Sequence, residues 1–369
     1  MYVLCKVFMR KRNKIAIITE GPYSGILRSI IEDSRVLKDM GFEITYFLPS
    51  TARDRYGERR EKNILEFSRF GKVEFTPLRR KYRFLIADIF RSRKHFANSS
   101  YDVVMSYGGY AGKLARILYL FGGIRRLIHV PQGFDTIHKK WSVRFPDAFF
   151  ERVLARYCSW YFACGSSETF KLEDTYHIPS SRIRLNPNAI PFRKVTARER
   201  KNSYIILSRI SRDKRVGESL KALQLLNLEQ KTLVIGDGEE LPILKKKYSE
   251  FTFLGNIPNE QAFSHLAATR FILSSSVIEG MPFSILEAMS QGVVPILSRI
   301  DGHKDIIQHG VNGFLFDTSA DLLDVLLYTE VMSDDEYGAL SLSAVRTVQG
   351  LRESKRVRLM NFFTHDCIL

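Results

Sequence analysis

Short apolar runs alternate with helix-periodic segments along the whole chain, which predicts an α/β protein with parallel sheets; 369 residues are enough to share that pattern between two domains. Three observations carry the prediction. A strand, glycine loop, helix and strand fill residues 14–48, the same order recurs over 271–297, and the polar, charged stretch from Lys194 to Asn202 between them reads as a hinge. The expected boundaries are therefore 1–193 for the first domain, 194–345 for the second, and 346–369 for a C-terminal segment.

Lys14 to Thr19 is a β-type run followed by Gly21-Pro22-Tyr23-Ser24-Gly25, after which Ile26, Ile30, Ile31, Val36 and Leu37 recur at helical spacing. Gly41 stops that helix and Phe42 to Leu48 makes the next strand, so the chain opens with a βαβ unit of Rossmann-like type. The glycine loop lets backbone approach a ligand, but a turn alone would also account for Gly21, and no GxGxxG pattern is present. Asp102 to Ser106 gives another strand, Tyr110 to Phe121 a helix closed by Gly122-Gly123, and Leu127 to Val130 a strand leading into Pro131-Gln132-Gly133-Phe134-Asp135. His129, on that buried strand, is expected to be a core residue. Asp147 to Tyr157 is again helical.

The net charge of +16 is unevenly placed: residues 1–195 hold 36 Lys/Arg against 18 Asp/Glu, a net +18, and residues 196–369 hold 20 against 22, a net −2. Such a field on one half favours an anionic partner, and composition alone does not choose among lipid head groups, nucleic acid and phosphorylated acceptors. The most basic stretch is 52–96; from Arg79 to Lys94 seven Lys/Arg surround Phe84, Leu85, Ile86, Ile89 and Phe90, as in a helix lying on an anionic membrane or packing its apolar stripe on the domain. No apolar run is long enough to span a bilayer, and MYVLCKVFMRKRNK is too short and wrongly ordered for a signal peptide, so the expected location is cytoplasmic, peripheral on the inner face of the membrane. Cys5, Cys158, Cys164 and Cys367 lack CxxC spacing and read as ordinary thiols.

The second half opens with a strand, Tyr204 to Leu207, then a basic loop, Ser208-Arg209-Ile210-Ser211-Arg212-Asp213-Lys214-Arg215, then a helix from Val216 to Leu226. Thr232 to Ile235 and Gly236-Asp237-Gly238 add a strand and turn, Leu241 standing where a dinucleotide fingerprint would want its third glycine. Phe271-Ile272-Leu273 ends in three serines, and Val293 to Leu297 is the next buried strand. Pro282 suits a first helical turn, Ile285, Leu286 and Met289 share one face, and Gly292 supplies a left-handed stop. The start of this helix falls at the carboxyl edge of the sheet, where free N–H groups favour an anion. Glu279 in the loop and Glu287 one turn into the helix flank the same place; they would repel a phosphate but accept hydrogen bonds from hydroxyls. A ligand with phosphate and polyol parts, such as a sugar nucleotide, meets both conditions.

The run Glu279-Gly280-Met281-Pro282-Phe283-Ser284-Ile285-Leu286-Glu287, with Gly292, Pro295 and Gly310-Val311-Asn312-Gly313 after it, resembles the Glu-x7-Glu motif of the retaining GT-B glycosyltransferases of family 4. The resemblance covers roughly residues 14–345. It implies two Rossmann-like domains with a cleft between them, a nucleotide-sugar donor, and an acceptor that is lipid-linked or a polysaccharide. By the same resemblance Glu279 contacts the donor sugar, Glu287 the ribose, and Gly280, Met281, Pro282, Phe283 and Ser284 complete the donor loop. Arg209 and Lys214 match the basic pair that holds the diphosphate and stabilises it on leaving; Gly21 faces the diphosphate, and Ile257 in Phe253-Leu254-Gly255-Asn256-Ile257 lies against the base through backbone. Two departures stand out. Gln132-Gly133 replaces a His-Gly pair, leaving Gln132 able to bind a hydroxyl but not to relay a proton, and Ala189 and Pro191 replace Gly and Asp around Asn188. By the resemblance the C-terminal segment, 346–369, crosses back to the first domain, although the residues from Arg352 onward lack the aromatic pattern of the family's last helix.

The expected activity is thus transfer of a hexosyl-type sugar from a UDP- or GDP-sugar with retention at the anomeric carbon. No cofactor is expected, and since no Asp-x-Asp occurs, no metal. Two other readings fit less of the chain: a nucleotide-sugar epimerase of the same shape, marked by turnover without acceptor, and a basic nucleic-acid-binding protein, which the absence of binding modules and the acidic second half disfavour.

Overall fold

The computed structural model describes residues 13–19, 24–49, 57–76, 89–90, 92–93, 96, 101–132, 151–191, 200 and 202–367. Gly21, Gly133, the basic stretch 79–88, and most of the hinge at 194–202 lie outside the described residues. The chain divides into two compact units, Met1–Pro187 with Ser354–Leu369, and Asn188–Glu353.

The first unit holds β1 (Lys14–Thr19), α1 (Ser24–Asp39), β2 (Glu43–Pro49), α2 (Gly57–Ser68), β3 (Gly71–Thr76), β4 (Val103–Tyr107), α3 (Gly109–Leu120), β5 (Leu127–Val130), β6 (Trp160–Ala163), α4 (Ser166–Asp174) and β7 (Ile183–Leu185). Its seven strands are ordered β3-β2-β1-β4-β5-β6-β7 and pair in parallel throughout. Central strands such as β4 are buried at every position, as expected of strands covered on both faces. Two apolar clusters fill the two faces; one contains Ile15, Ile17, Ile30 and Leu37, the other Ala16, Ile18, Leu114 and Leu118. The alternation of neighbouring β1 residues between the clusters is the period-two geometry of a strand.

His129 is buried in this unit, its Nδ1 3.0 Å from Ser106 Oγ. Burial, reinforced by the charge of Arg116, lowers its pKa to about 3, so the ring is neutral. Arg116 is itself paired with Glu151 at 2.7 Å in the interior.

The second unit holds β8 (Asn202–Leu207), α5 (Val216–Leu225), β9 (Thr232–Ile235), α6 (Leu241–Lys247), β10 (Thr252–Gly255), α7 (Asn259–Ala267), β11 (Thr269–Ser274), α8 (Phe283–Ser290), β12 (Val294–Ser298), α9 (Asp301–Lys304), β13 (Phe314–Phe316) and α10 (Ser319–Val331). The six strands are ordered β10-β9-β8-β11-β12-β13, again all parallel. The order reverses direction between β8 and β11, and such a switch point opens a crevice at the carboxyl ends of the two strands. Thr318 and Asp321 cap α10 reciprocally, each side chain accepting from the other's backbone N–H.

The last helix, α11 (Asp334–Asn361), begins in the second unit, and its final turns belong to the first. There Leu359, Phe362, Phe363 and Cys367 join the apolar cluster of β1 and β2. Phe362 packs edge-on against Trp160 and Phe162, and Phe363 against Phe42. Among the described residues no helix is long and apolar enough to cross a membrane.

Candidate active site

Strands β8 and β11 flank the switch point of the second unit, and the chemistry-bearing residues follow directly from their ends. After β8 the chain makes a 3₁₀ turn over Arg212–Lys214, closed by the Lys214 N–H donating to the Ser211 carbonyl at 2.9 Å, with Arg215 in the left-handed region at φ 44°. After β11 the serines and Glu279 lead to α8. The two loops are joined by backbone, Val277 N–H donating to the Asp213 carbonyl at 2.9 Å.

That junction brings Lys214 Nζ within 2.6 Å of Glu279 Oε1, both side chains being about five-sixths buried (15% and 16% exposed). Ser276 Oγ donates to the same oxygen at 2.9 Å. Asp213 organises the cations: its carboxylate accepts from Ser211 Oγ at 2.5 Å, meets Arg209 at 3.2 Å and lies 3.7 Å from Lys214. Burial would raise the Asp213 carboxyl, but the Ser211 hydrogen bond and the charges of Lys214 and Arg209 outweigh it and hold the group below its ordinary value. Arg209 is the more exposed cation, its side chain 65% accessible.

Pro282 is the N-cap of α8, in extended backbone at φ −72° and ψ 122°, so the helix proper starts one residue later than a first-turn proline would have it. No side chain caps this end, which leaves the first N–H groups to bind an anion. Asn188 steadies the approach to it, donating from Nδ2 to the Met281 carbonyl at 2.8 Å. Met281 and Phe283 are buried and Gly280, Pro282 and Ser284 half-buried; Glu287 is buried on α8, and Ile257 is half-buried just beyond β10. The C-terminal stop of α8 is a Schellman turn: Gly292 has φ 73°, its N–H bonds the Met289 carbonyl and the Val293 N–H that of Ala288. Gln132 belongs to the other unit, with φ 59° and Nε2 donating to Ser29 Oγ at 2.8 Å.

The loop at Glu279 also rests on α9. A Cβ placed on Gly302 would come within 1.8 Å of the Gly280 carbonyl and 2.5 Å of that of Glu279, so only glycine permits the approach. Gly302→Ala is expected to push the loop away and weaken donor binding at least tenfold, because misplacement of about 1 Å at a site can cost about 10²-fold. Isothermal titration with a nucleotide donor reads this directly, and unchanged affinity would show that the contact is dispensable.

Two residues of this arrangement were not picked out by spacing: Asp213 and Ser276. Asp213 stands inside the basic loop and Ser276 inside the serine run, so composition masked the first and left the second undistinguished from its neighbours. Among the described residues no three His, Cys, Asp or Glu side chains cluster as metal ligands would.

Two family models match the chain. The model described as Glycosyl transferases group 1 matches residues 189–336, which contain the whole arrangement, and the model Glycosyltransferase Family 4 matches residues 23–194. The chain belongs to the group 1, family 4 glycosyltransferases. This glycosyltransferase is 26% identical over 256 residues to the UDP-Gal:alpha-D-GlcNAc-diphosphoundecaprenol alpha-1,3-galactosyltransferase of Escherichia coli, a match that spans 61% of the chain and 64% of that relative. It is 24% identical to the O-antigen biosynthesis glycosyltransferase WbnH of Escherichia coli over 310 residues, 83% of the chain and 86% of the relative. Among solved structures it resembles Anabaena HepE in complex with UDP and glucose, with a TM-score of 0.75 and 16% identity, over 95% of this chain and 99% of that one. At that identity the likeness shows the fold alone, which is GT-B.

Proposed function

We propose that this glycosyltransferase moves a hexosyl-type sugar from a nucleoside-diphosphate donor to a lipid-linked or glycan acceptor, with retention at the anomeric carbon and without a metal ion. The observation that carries the reading is the meeting of Lys214 and Glu279 at 2.6 Å, one beyond each strand of the switch point, within the same loop pair as the uncapped start of α8. Lys214, Arg209 and the helix N-terminus supply positive potential where a diphosphate would take up charge on leaving. Glu279 supplies an acceptor for sugar hydroxyls, and Glu287 one for the ribose. The charge that builds on the leaving diphosphate as its bond to the anomeric carbon breaks is then met by fixed groups, so that an oxocarbenium-like sugar can form and be captured by the acceptor hydroxyl on the face the nucleotide leaves, the hydroxyl proton passing to the departing diphosphate. Support for the acceptor comes from the Escherichia coli relatives, one named for a diphosphoundecaprenol-linked substrate and one for O-antigen biosynthesis.

The test is a panel of UDP-, GDP- and ADP-sugars run in the presence of EDTA. One class of donor is expected to raise the melting temperature and to support transfer with the anomeric configuration of the donor kept in the product, read by NMR. Inversion, or a requirement for a divalent ion, would overturn the mechanistic part of the reading. Turnover without acceptor would point to an epimerase instead.

The basic first half supports peripheral attachment to an anionic membrane, each engaged Lys or Arg contributing about 1 kcal/mol near such a surface. Replacing Arg79, Arg80, Lys81 and Arg83 by serine is expected to weaken co-sedimentation with phosphatidylglycerol vesicles by about two to three powers of ten, and added salt to do the same to the parent. Binding indifferent to both would remove membrane docking from the proposal.

A further inference from the structure

We propose that His303 is a positioning residue for the Lys214–Glu279 pair, holding it in working geometry as a neutral imidazole with an unfilled acceptor at Nε2. This rests on the reading of that pair as part of the donor site. His303 is wholly buried on α9, and its Nδ1 lies 2.8 Å from the Ser298 carbonyl oxygen. A carbonyl only accepts, so Nδ1 bears the proton and Nε2 presents a lone pair. That nitrogen is buried and no described group donates to it. Buried polar atoms are nearly always partnered, and an exception beside reactive groups calls for a reason beyond packing.

Three contacts couple the ring to the pair. Gly302, its neighbour, packs on the carbonyls of Glu279 and Gly280. Ser298, whose carbonyl holds Nδ1, donates from Oγ to the Ser276 carbonyl at 2.6 Å. Ser276 Oγ in turn donates to Glu279 Oε1 at 2.9 Å.

The charged groups that act on the ring are Glu279 and Lys214. On its own helix Asp301 and Lys304 pair with each other at 3.0 Å and are half exposed, while Arg299, beside Ser298, is turned to Asp317 at 2.8 Å. Burial is the largest influence on the imidazole and lowers its pKa; the Ser298 carbonyl and Glu279 oppose that, and Lys214 adds to it, so protonation falls below the ordinary histidine range. Above that range the ring is neutral and Glu279 keeps Lys214. Once protonated, the imidazolium would attract Glu279 and repel Lys214, which would weaken the pair.

His303→Asn separates this role from packing, because the amide N–H of asparagine can take the place of Nδ1–H toward Ser298 while nothing titrates and Nε2 is gone. The measurements are melting temperature, donor affinity, and kcat and KM from about pH 5 to 8. The variant is expected to melt near the parent and bind donor within about threefold, to lose about ten- to a hundredfold in kcat, and to lack the acid limb that the parent shows on the acid side of the ordinary histidine range. A variant with the parent's kcat and pH profile overturns the proposal. Should the variant not fold, the His303 ring followed by NMR in the parent decides it: a ring that stays neutral through the acid limb of turnover overturns it as well. A parent that neither binds nor turns over any nucleotide sugar overturns the functional reading together with this one, whereas an active parent with an unaltered variant removes only the role of His303.

Discussion

Lys214→Ala is expected to lower kcat/KM for the nucleotide donor by about 10²–10³-fold, the cost of removing one preorganised stabiliser of developing charge. Most of the loss should fall on kcat, since the interaction matters most when the diphosphate carries its leaving charge. Folding should suffer little. Glu279 would keep the Ser276 hydrogen bond and some access to solvent, so the melting temperature is expected to drop by only a few degrees. Lys214→Arg should not rescue fully, because a planar fork cannot reproduce a compact ammonium at 2.6 Å from one carboxylate oxygen. Arg209→Ala should cost less, its guanidinium being largely in solvent and shared with Asp213. Steady-state kinetics with thermal melting decide the matter; a Lys214→Ala enzyme with parental kcat/KM would remove this lysine from the mechanism.

The second unit was the more legible half. Its strands are continuous apolar runs, and Pro282 and Gly292 bracket α8 with residues whose backbone preferences are strong, so the placement of Glu279 at the helix start followed from sequence. The Lys214–Glu279 contact depends on the strand order, which sets β8 beside β11 although they are separated by two other strands in the chain. Spacing carries no such information. It emerges only when the crossover that reverses the sheet is known, and Asp213 and Ser276 owe their roles to the same juxtaposition.

In the first unit charge concealed structure. α2 reads Gly-Glu-Arg-Arg-Glu-Lys before its apolar residues begin, and β3 is an edge strand, GKVEFT, whose Lys72 and Glu74 pair at 2.7 Å in the open. A basic stretch there is read most easily as a surface feature, yet it contributes an edge strand to the sheet. The end of the chain hid its packing for another reason. Phe362 and Phe363 are adjacent, which fits neither side of a helical stripe, and a π-helical turn over Phe362–Asp366 sends both rings into the core.

Lys355→Met is expected to cost about 3–5 kcal/mol of stability, the usual result of breaking a buried ion pair by removing one partner. Lys355 Nζ lies 2.6 Å from Asp33 Oδ1 with both side chains essentially inaccessible, and it also donates to the Pro187 carbonyl at 3.2 Å. Asp33 is further held by Tyr107 Oη at 2.5 Å and by Asn186 Nδ2 at 3.2 Å, so the aspartate is the hub of a buried polar network. Burial, and after it the charge of Asp33, raises the Tyr107 phenol well above its ordinary range, which keeps it a donor at any working pH. Without the lysine the carboxylate would keep these neutral donors but lose its countercharge in a site that water does not reach. At about 2–4 °C per kcal/mol for a unit of this size, the melting temperature should fall by about 6–20 °C. Asp33→Asn combined with Lys355→Met should recover part of that, since the amide carries no charge to compensate. Pro187 and Lys355, both in the first unit, lie next to the two points where the chain passes between units, at 187/188 and 353/354. Calorimetry on the single and double variants tests the network: a single variant that melts with the parent would mean that Asp33 does not depend on Lys355 for its charge.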